Sequence, residues 1–134
     1  MASIRRETLI AAPAATVWAA VRDVGAIHTR LARGFVTDTR LEDGGGARMV
    51  SFANGMLARE LIVDLDDAQR RLAWSVVGGR MTHHNASLQV FDEGENRCRL
   101  VWLADLLPHE LGPAIAGMIE QGLTAMQRTL QAAA

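Results

Sequence analysis

The period of hydrophobic and polar positions changes twice along the chain. From Ser3 to Ile10 the two kinds alternate, as in a strand with one face toward a core. Between Pro13 and Ala32 the spacing becomes helical. Val17, Trp18 and Val21 share a face, and Pro13 suits a first turn, where its missing N–H costs nothing. Gly25 and Gly34 flank a second short helical piece over 26–32. From Phe35 alternation returns and predicts strands over 35–42, 46–53, 56–65, 70–77, 82–92 and 97–106. The separators are standard turn compositions: Asp43-Gly44-Gly45-Gly46, Asn54-Gly55, Asp66-Asp67, Gly78-Gly79 and Asp92-Glu93-Gly94. After Pro108 the period is 3.6 again. Leu111, Ile115, Met118, Ile119, Gly122, Met126 and Leu130 make one stripe of a long helix over 109–131. Consecutive hairpins give an antiparallel sheet, and a one-sided helix must cover it, so the class is α+β.

The turn at Asn54-Gly55 yields a facing argument. Read as a two-residue type I′ turn, it sets Phe52 opposite Leu57, Val50 opposite Arg59 and Arg48 opposite Leu61. Opposed residues share a sheet face. One face then carries Arg48, Val50, Phe52, Leu57, Arg59, Leu61 and Val63, and the other Ala47, Met49, Ser51, Ala58, Glu60, Ile62 and Asp64. The first is bulkier and is expected to face inward, with Glu60 outside in a surface ion pair. Alternation adds Leu72, Trp74 and Val76, then His84, Ala86, Leu88 and Val90, then Cys98, Leu100, Trp102 and Ala104. Two inward guanidinium groups do not suit a solid core, because a buried unpaired charge costs several kcal/mol. A wet or ligand-filled cavity between sheet and helix would accommodate them. Met118 and Met126 would make an adaptable lid, and Gly122 would leave room beside the helix.

Composition narrows the function classes. The 134 residues carry a net charge of −1, with 49% hydrophobic and 22% charged residues. That length is expected to be one domain, 1–134, with enough buried surface for one core. The charge balance argues against nucleic acid and against a polybasic membrane-surface role. All fourteen basic residues are arginine, so Schiff-base chemistry and a P-loop lysine are excluded. There is no tyrosine to act as a phenolic acid. The single cysteine, Cys98, excludes an internal disulfide and fits a reducing compartment, so a cytoplasmic location is expected. Arg5-Arg6 before an apolar stretch loosely resembles a twin-arginine signal, but Glu7 and Pro13 interrupt it. No apolar run approaches the roughly 18 residues of a membrane span.

Taken together, the residues resemble the START-like (SRPBCC) helix-grip superfamily, in particular its small bacterial polyketide cyclase/dehydrase and lipid-transfer branch. The resemblance covers essentially the whole chain. It is carried by Ala12-Pro13 with Val17-Trp18, Gly44-Gly45-Gly46-Ala47-Arg48, Asn54-Gly55, Arg59-Glu60, Arg71-Leu72-Ala73-Trp74-Ser75-Val76, Ala86-Ser87-Leu88-Gln89-Val90 and Leu100-Val101-Trp102. It implies a curved seven-stranded sheet gripping the C-terminal helix around a hydrophobic cavity. Members bind lipids, sterols, polyketides or plant metabolites, and some catalyse cyclisation or dehydration. The chain departs from the common pattern at His84, where a tyrosine is frequent, and its short 79–83 segment implies a more closed rim.

Three functional readings follow. The first is binding of a small hydrophobic molecule, acidic-ended if Arg48 and Arg59 hold a carboxylate by bidentate hydrogen bonds. Its wall is expected at Arg48, Val50, Phe52, Leu57, Arg59, Leu61, Trp74, Val76, His84, Leu88, Trp102, Ile115, Met118, Ile119, Gly122 and Met126. The second is a cyclase/dehydrase-type enzyme in which His84 moves protons and an inner arginine stabilises a developing enolate. Against it stands a core histidine satisfied by hydrogen bonds, and Trp74 and Trp102 serve core packing as readily as ligand stacking. The third is a non-catalytic interaction domain, homodimer included, using Met49 and Ile62 on the outer face. No cofactor and no metal are expected. Adjacent strand residues such as His83 and His84 point to opposite faces and cannot chelate one ion together. The glycines at 44–46 precede a strand with no Lys-Ser/Thr, so they are a strand connection and no phosphate cradle. Asn85-Ala86-Ser87 matches a glycosylation sequon inside a strand, and Cys98 is a small buried hydrophobe.

Overall fold

The computed structural model describes residues 2–133. Strand β1 is Ala2–Ile10, and helix α1 follows at Ala14–Arg22. Pro13 stands just before α1 with extended backbone, and its carbonyl accepts from Val17 N–H at 3.1 Å. The second helical piece is one wide turn, Ile27–Leu31, closed by Ala32 N–H to the Ile27 carbonyl at 2.8 Å. Its apolar pair Ile27 and Leu31 is buried. Six further strands run β2 Val36–Glu42, β3 Ala47–Phe52, β4 Leu57–Asp66, β5 Arg71–Val77, β6 His83–Asp92 and β7 Cys98–Leu107. Each bound lies within one residue of the alternation-based expectation. A short turn over His109–Leu111 leads into helix α2, Gly112–Ala133.

The described strands form one curved antiparallel sheet in the order β1-β7-β6-β5-β4-β3-β2. The α+β helix-grip arrangement expected from the sequence is the fold observed. Helix α2 lies on the concave face. Its backbone runs close to β1 and to the Ile27–Leu31 turn. There Ile119, Leu123, Met126 and Leu130 join Ile4, Ile10, Cys98, Leu100 and Leu106 in the core. No helix is long and apolar enough to cross a membrane among the described residues.

The β3–β4 register corrects the facing expectation. Phe52 N–H donates to the Met56 carbonyl at 2.9 Å, and Gly55 N–H donates to the Phe52 carbonyl at 3.0 Å. Gly55 has φ +91°, whereas Asn54 stays outside the left-handed region. The connection is therefore a three-residue loop, a type I turn followed by a glycine bulge, and no type I′ turn. The extra loop residue slides β4 by one position. Arg48 now pairs with Glu60, Met49 with Arg59 and Ala47 with Leu61. Since side chains alternate, the slide exchanges the two faces of β4. Glu60 and Ile62 point inward, and Arg59 and Leu61 point outward. A bulge between Ile62 and Asp64 sets Val63 on the outside, 64% exposed, and returns Leu65 to the inner side.

Glu60 on the outer face is the first expectation to fall with that register, since Glu60 lines the cavity. Arg59 is outside, donating from Nε to Glu42 Oε1 at 3.0 Å and from Nη2 to Asp43 Oδ2 at 2.7 Å. Leu61 does not line the inner cavity. Ile62 packs against the core and offers nothing to an outer-face association. The faces of β5, β6 and β7 are as the alternation predicts, with Leu72, Trp74, Ala86, Leu88, Val90, Cys98, Leu100 and Ala104 buried.

Candidate functional site

Between the sheet and α2 lies a cavity of about 360 Å³. Strands β3, β4 and β5 supply one wall through Arg48, Val50, Phe52, Ala58, Glu60, Trp74 and Val76. Strands β6 and β7 add His84, Leu88 and Trp102, and α2 closes the space with Ile115, Met118, Ile119 and Met126. The exposed lining residues mark a mouth at the β3–β4 hairpin (Met56, Leu57), the β5–β6 loop (Gly78, Gly79, Arg80) and the start of α2 (Ala114).

Of the expected wall residues, three stand elsewhere. Arg59 and Leu61 are on the outer face. Gly122 touches no cavity space, because the Trp102 ring already occupies it. A Cβ at Gly122 would lie 2.8 Å from Trp102 Cζ3 and 3.1 Å from Phe35 Cε2. The glycine brings helix and indole together; it does not make room for a ligand. Leu57 is at the mouth, 68% exposed, where it rims the opening. The sequence reading missed Glu60, which it placed outside, and also Ile27, Leu31, Phe35 and the 78–81 loop.

The inner wall carries a buried ion pair. Arg48 Nε donates to Glu60 Oε1 at 2.8 Å, and Arg48 Nη1 donates to the Val24 carbonyl at 3.3 Å. The guanidinium also lies 5.4 Å from the centre of the Trp74 ring, within cation–π range. Both charged residues are nearly sealed from bulk solvent, at 3% and 7% exposure. Burial pushes the Glu60 carboxyl above its ordinary value, while the Arg48 charge and hydrogen bond oppose that rise. Arginine cannot shed its proton, so neutralising Glu60 would strand a buried cation. With the two groups 2.8 Å apart, the ion pair is the form that leaves no uncompensated charge at this wall. With Arg59 outside, the inward arginine, Arg48, has its countercharge within the wall.

Two neutral polar atoms complete the wall. His84 Nδ1 and Trp102 Nε1 are buried with no hydrogen-bond partner. Burial, and secondarily the neighbouring His83, lower the His84 pKa, so its ring is uncharged at pH 7. Trp102 meets Trp74 edge-on, with ring centres 5.9 Å apart at 63°. Among the described residues no three His, Cys, Asp or Glu side chains gather as a metal site requires. Cys98 is fully buried away from this wall, and burial pushes its thiol up to about 11.

The fold has close relatives among solved structures. XoxI from Bacillus cereus superposes with a TM-score of 0.86 at 19% identity, covering 100% of this chain and 99% of its own. A Thermobifida fusca protein solved by NMR is 29% identical, with a TM-score of 0.77 and coverage of 98% and 91%. The di-domain ARO/CYC protein BexL matches 98% of this chain with 47% of its own, at a TM-score of 0.85 and 16% identity. No curated protein sequence matches the chain. A cavity gripped between sheet and terminal helix accords with the family model that matches residues 1–132, and the chain belongs to that family, polyketide cyclase / dehydrase and lipid transport.

Proposed function

We propose that the protein binds a small, largely hydrophobic molecule in the cavity between the sheet and α2. The observation that carries this reading is the hollow itself. Its volume of about 360 Å³ falls in the range of small-molecule sites, roughly 300–1,000 Å³. Its walls are mainly aliphatic, aromatic and thioether side chains, with a few polar groups of fixed position, as such sites usually have. A core meant only for stability would close such a gap, since interiors pack at crystal-like density. Met118 and Met126 give the helix side an adjustable surface. Native mass spectrometry of freshly purified protein tests the proposal. An adduct that leaves on denaturation, or a thermal shift with members of a hydrophobic library, is the expected result. No adduct and no shift across the library would sink it.

A catalytic reading has one observation in its favour. His84 presents a buried, unpartnered Nδ1 on a cavity-lining side chain, and its ring is neutral and able to accept a proton. In that reading His84 moves a proton, and Arg48 donates a hydrogen bond to the substrate oxygen from Nη2, the nitrogen it spends on neither Glu60 nor the Val24 carbonyl. His84→Ala should abolish turnover of a cyclisable polyketide-like substrate while leaving its affinity within about threefold. Unchanged turnover removes His84 from the chemistry.

A further inference from the structure

Resting on the binding reading above, we propose that the cavity selects an uncharged ligand with a hydroxyl at its polar end, an alcohol or a phenol, and rejects the carboxylate of the same skeleton. The selecting device is the Arg48–Glu60 pair.

The argument starts from what each group still has free. Arg48 spends Nε on Glu60 Oε1 and Nη1 on the Val24 carbonyl. Arg48 Nη2 and Glu60 Oε2 make no hydrogen bond within the described residues, and neither is among the sealed, unpartnered atoms. Both therefore retain contact with open space. Because the two residues are almost wholly buried, that space is the cavity they line. A donor and an acceptor thus stand side by side on an otherwise apolar wall. A hydroxyl satisfies both at once, accepting from Arg48 and donating to Glu60.

Charge then excludes the alternative. The pair sums to zero, and the other polar wall groups, His84 and Trp102, are neutral. A ligand carboxylate would reach Arg48 only by placing a second buried anion beside Glu60. Like charges that close disfavour each other, and the ligand would lose its hydration for no net countercharge. Arg80 is the one other lining arginine, but it sits at the solvent-exposed mouth. There an acid would keep its water and leave the inner wall unsatisfied.

Titration calorimetry on the full chain at neutral pH tests this with two matched pairs, naphthol against naphthoate and decanol against decanoate. Within at least one pair the hydroxyl compound should bind about tenfold or more tightly than the carboxylate. Glu60→Gln keeps the size of the side chain and removes its charge, so the carboxylate should gain about tenfold or more and the preference should invert. Arg59→Gln, on the outer face, should leave the ranking as in the wild type. Carboxylates binding as tightly as their hydroxyl partners in the wild-type protein would overturn the proposal while leaving the binding reading intact. So would a Glu60→Gln protein that folds and keeps the original ranking. If Glu60→Gln does not fold, the wild-type ranking alone decides. No binding by any of the four compounds would overturn this proposal, and the binding reading then stands or falls on the native mass spectrum and the library.

Discussion

Arg48 and Glu60 stand directly opposite each other on β3 and β4, Nε to Oε1 at 2.8 Å, because the hairpin between them uses three loop residues and not two. The positive φ of Gly55 permits that extra residue. With one fewer, Arg48 would face Leu61, and Glu60 would point to solvent. A local backbone choice at residue 55 thus decides whether the cavity wall is electrically balanced.

Removing one member of that pair should be costly. Arg48→Met leaves Glu60 buried without a countercharge, a defect of about 3–5 kcal/mol in chemical denaturation at neutral pH. Protonating Glu60 relieves it, so the deficit should shrink as pH falls toward the ordinary carboxyl range. Replacing both partners, Arg48→Met with Glu60→Leu, should recover most of the loss, because an apolar pair of similar volume is often neutral relative to a buried ion pair. A double variant no better than the single one would show that the pair does not act as a unit.

The outer arginine gives the opposite expectation. Arg59 pairs with Glu42 and Asp43 on the outer face, and its side chain is 35% exposed. Such contacts contribute about 0–1 kcal/mol. Arg59→Ala should therefore lower stability by no more than about 1 kcal/mol and leave ligand affinity unchanged. A marked loss of affinity would mean that β4 lies in the register with Arg59 inward.

These two arginines show how far the sequence could be read. Element order, strand bounds and the inner faces of β5, β6 and β7 follow from periodicity, because each strand has one apolar side and the terminal helix one apolar stripe. The β3–β4 pair could not be settled that way. Asn54-Gly55 suits both a two-residue and a three-residue loop, and both faces of β4 mix apolar with charged residues: Leu57, Arg59, Leu61 against Ala58, Glu60, Ile62. One signal was present. The three-residue loop sets an arginine opposite a glutamate, whereas the two-residue loop sets Arg48 opposite Leu61 and Arg59 opposite Val50. The rest of the lining was illegible for another reason: it comes from loops and turns, at 78–81 on the mouth and around the buried Ile27, whose positions depend on tertiary packing rather than on any period.

His84 sets a pH dependence whose sign is fixed by its surroundings. Its folded pKa lies below the ordinary 6.5, first because of burial and then because of His83. The fold favours the neutral ring, so this contribution to stability is complete above about 6.5 and is lost as pH falls through the lowered folded value. Glu60 works the other way: its folded pKa is raised above 4.5, so its contribution grows as pH falls through that raised value. The two are separated by comparison with His84→Gln. Between about pH 8 and about pH 5, the wild-type melting temperature should fall relative to that of the variant. Parallel curves would show that His84 titrates alike in the folded and unfolded chain.

Two glycines of α2 offer a contrast on a single helix. At Gly117 an added Cβ meets nothing within 4 Å. Gly117→Ala should gain the helix-propensity difference, up to about 1 kcal/mol, with no effect on binding. At Gly122 the same methyl would overlap the Trp102 ring at 2.8 Å. The overlap, about 1–3 kcal/mol if nothing moves, offsets or exceeds the propensity gain. The indole cannot yield toward the helix, and the open space beside it is the cavity it lines. Gly122→Ala should therefore push Trp102 into the binding space. Its melting temperature should stay below that of Gly117→Ala, and large ligands should lose more affinity than small ones across a series of increasing length. Equal loss at every ligand size would mean that the ring relaxes without entering the cavity.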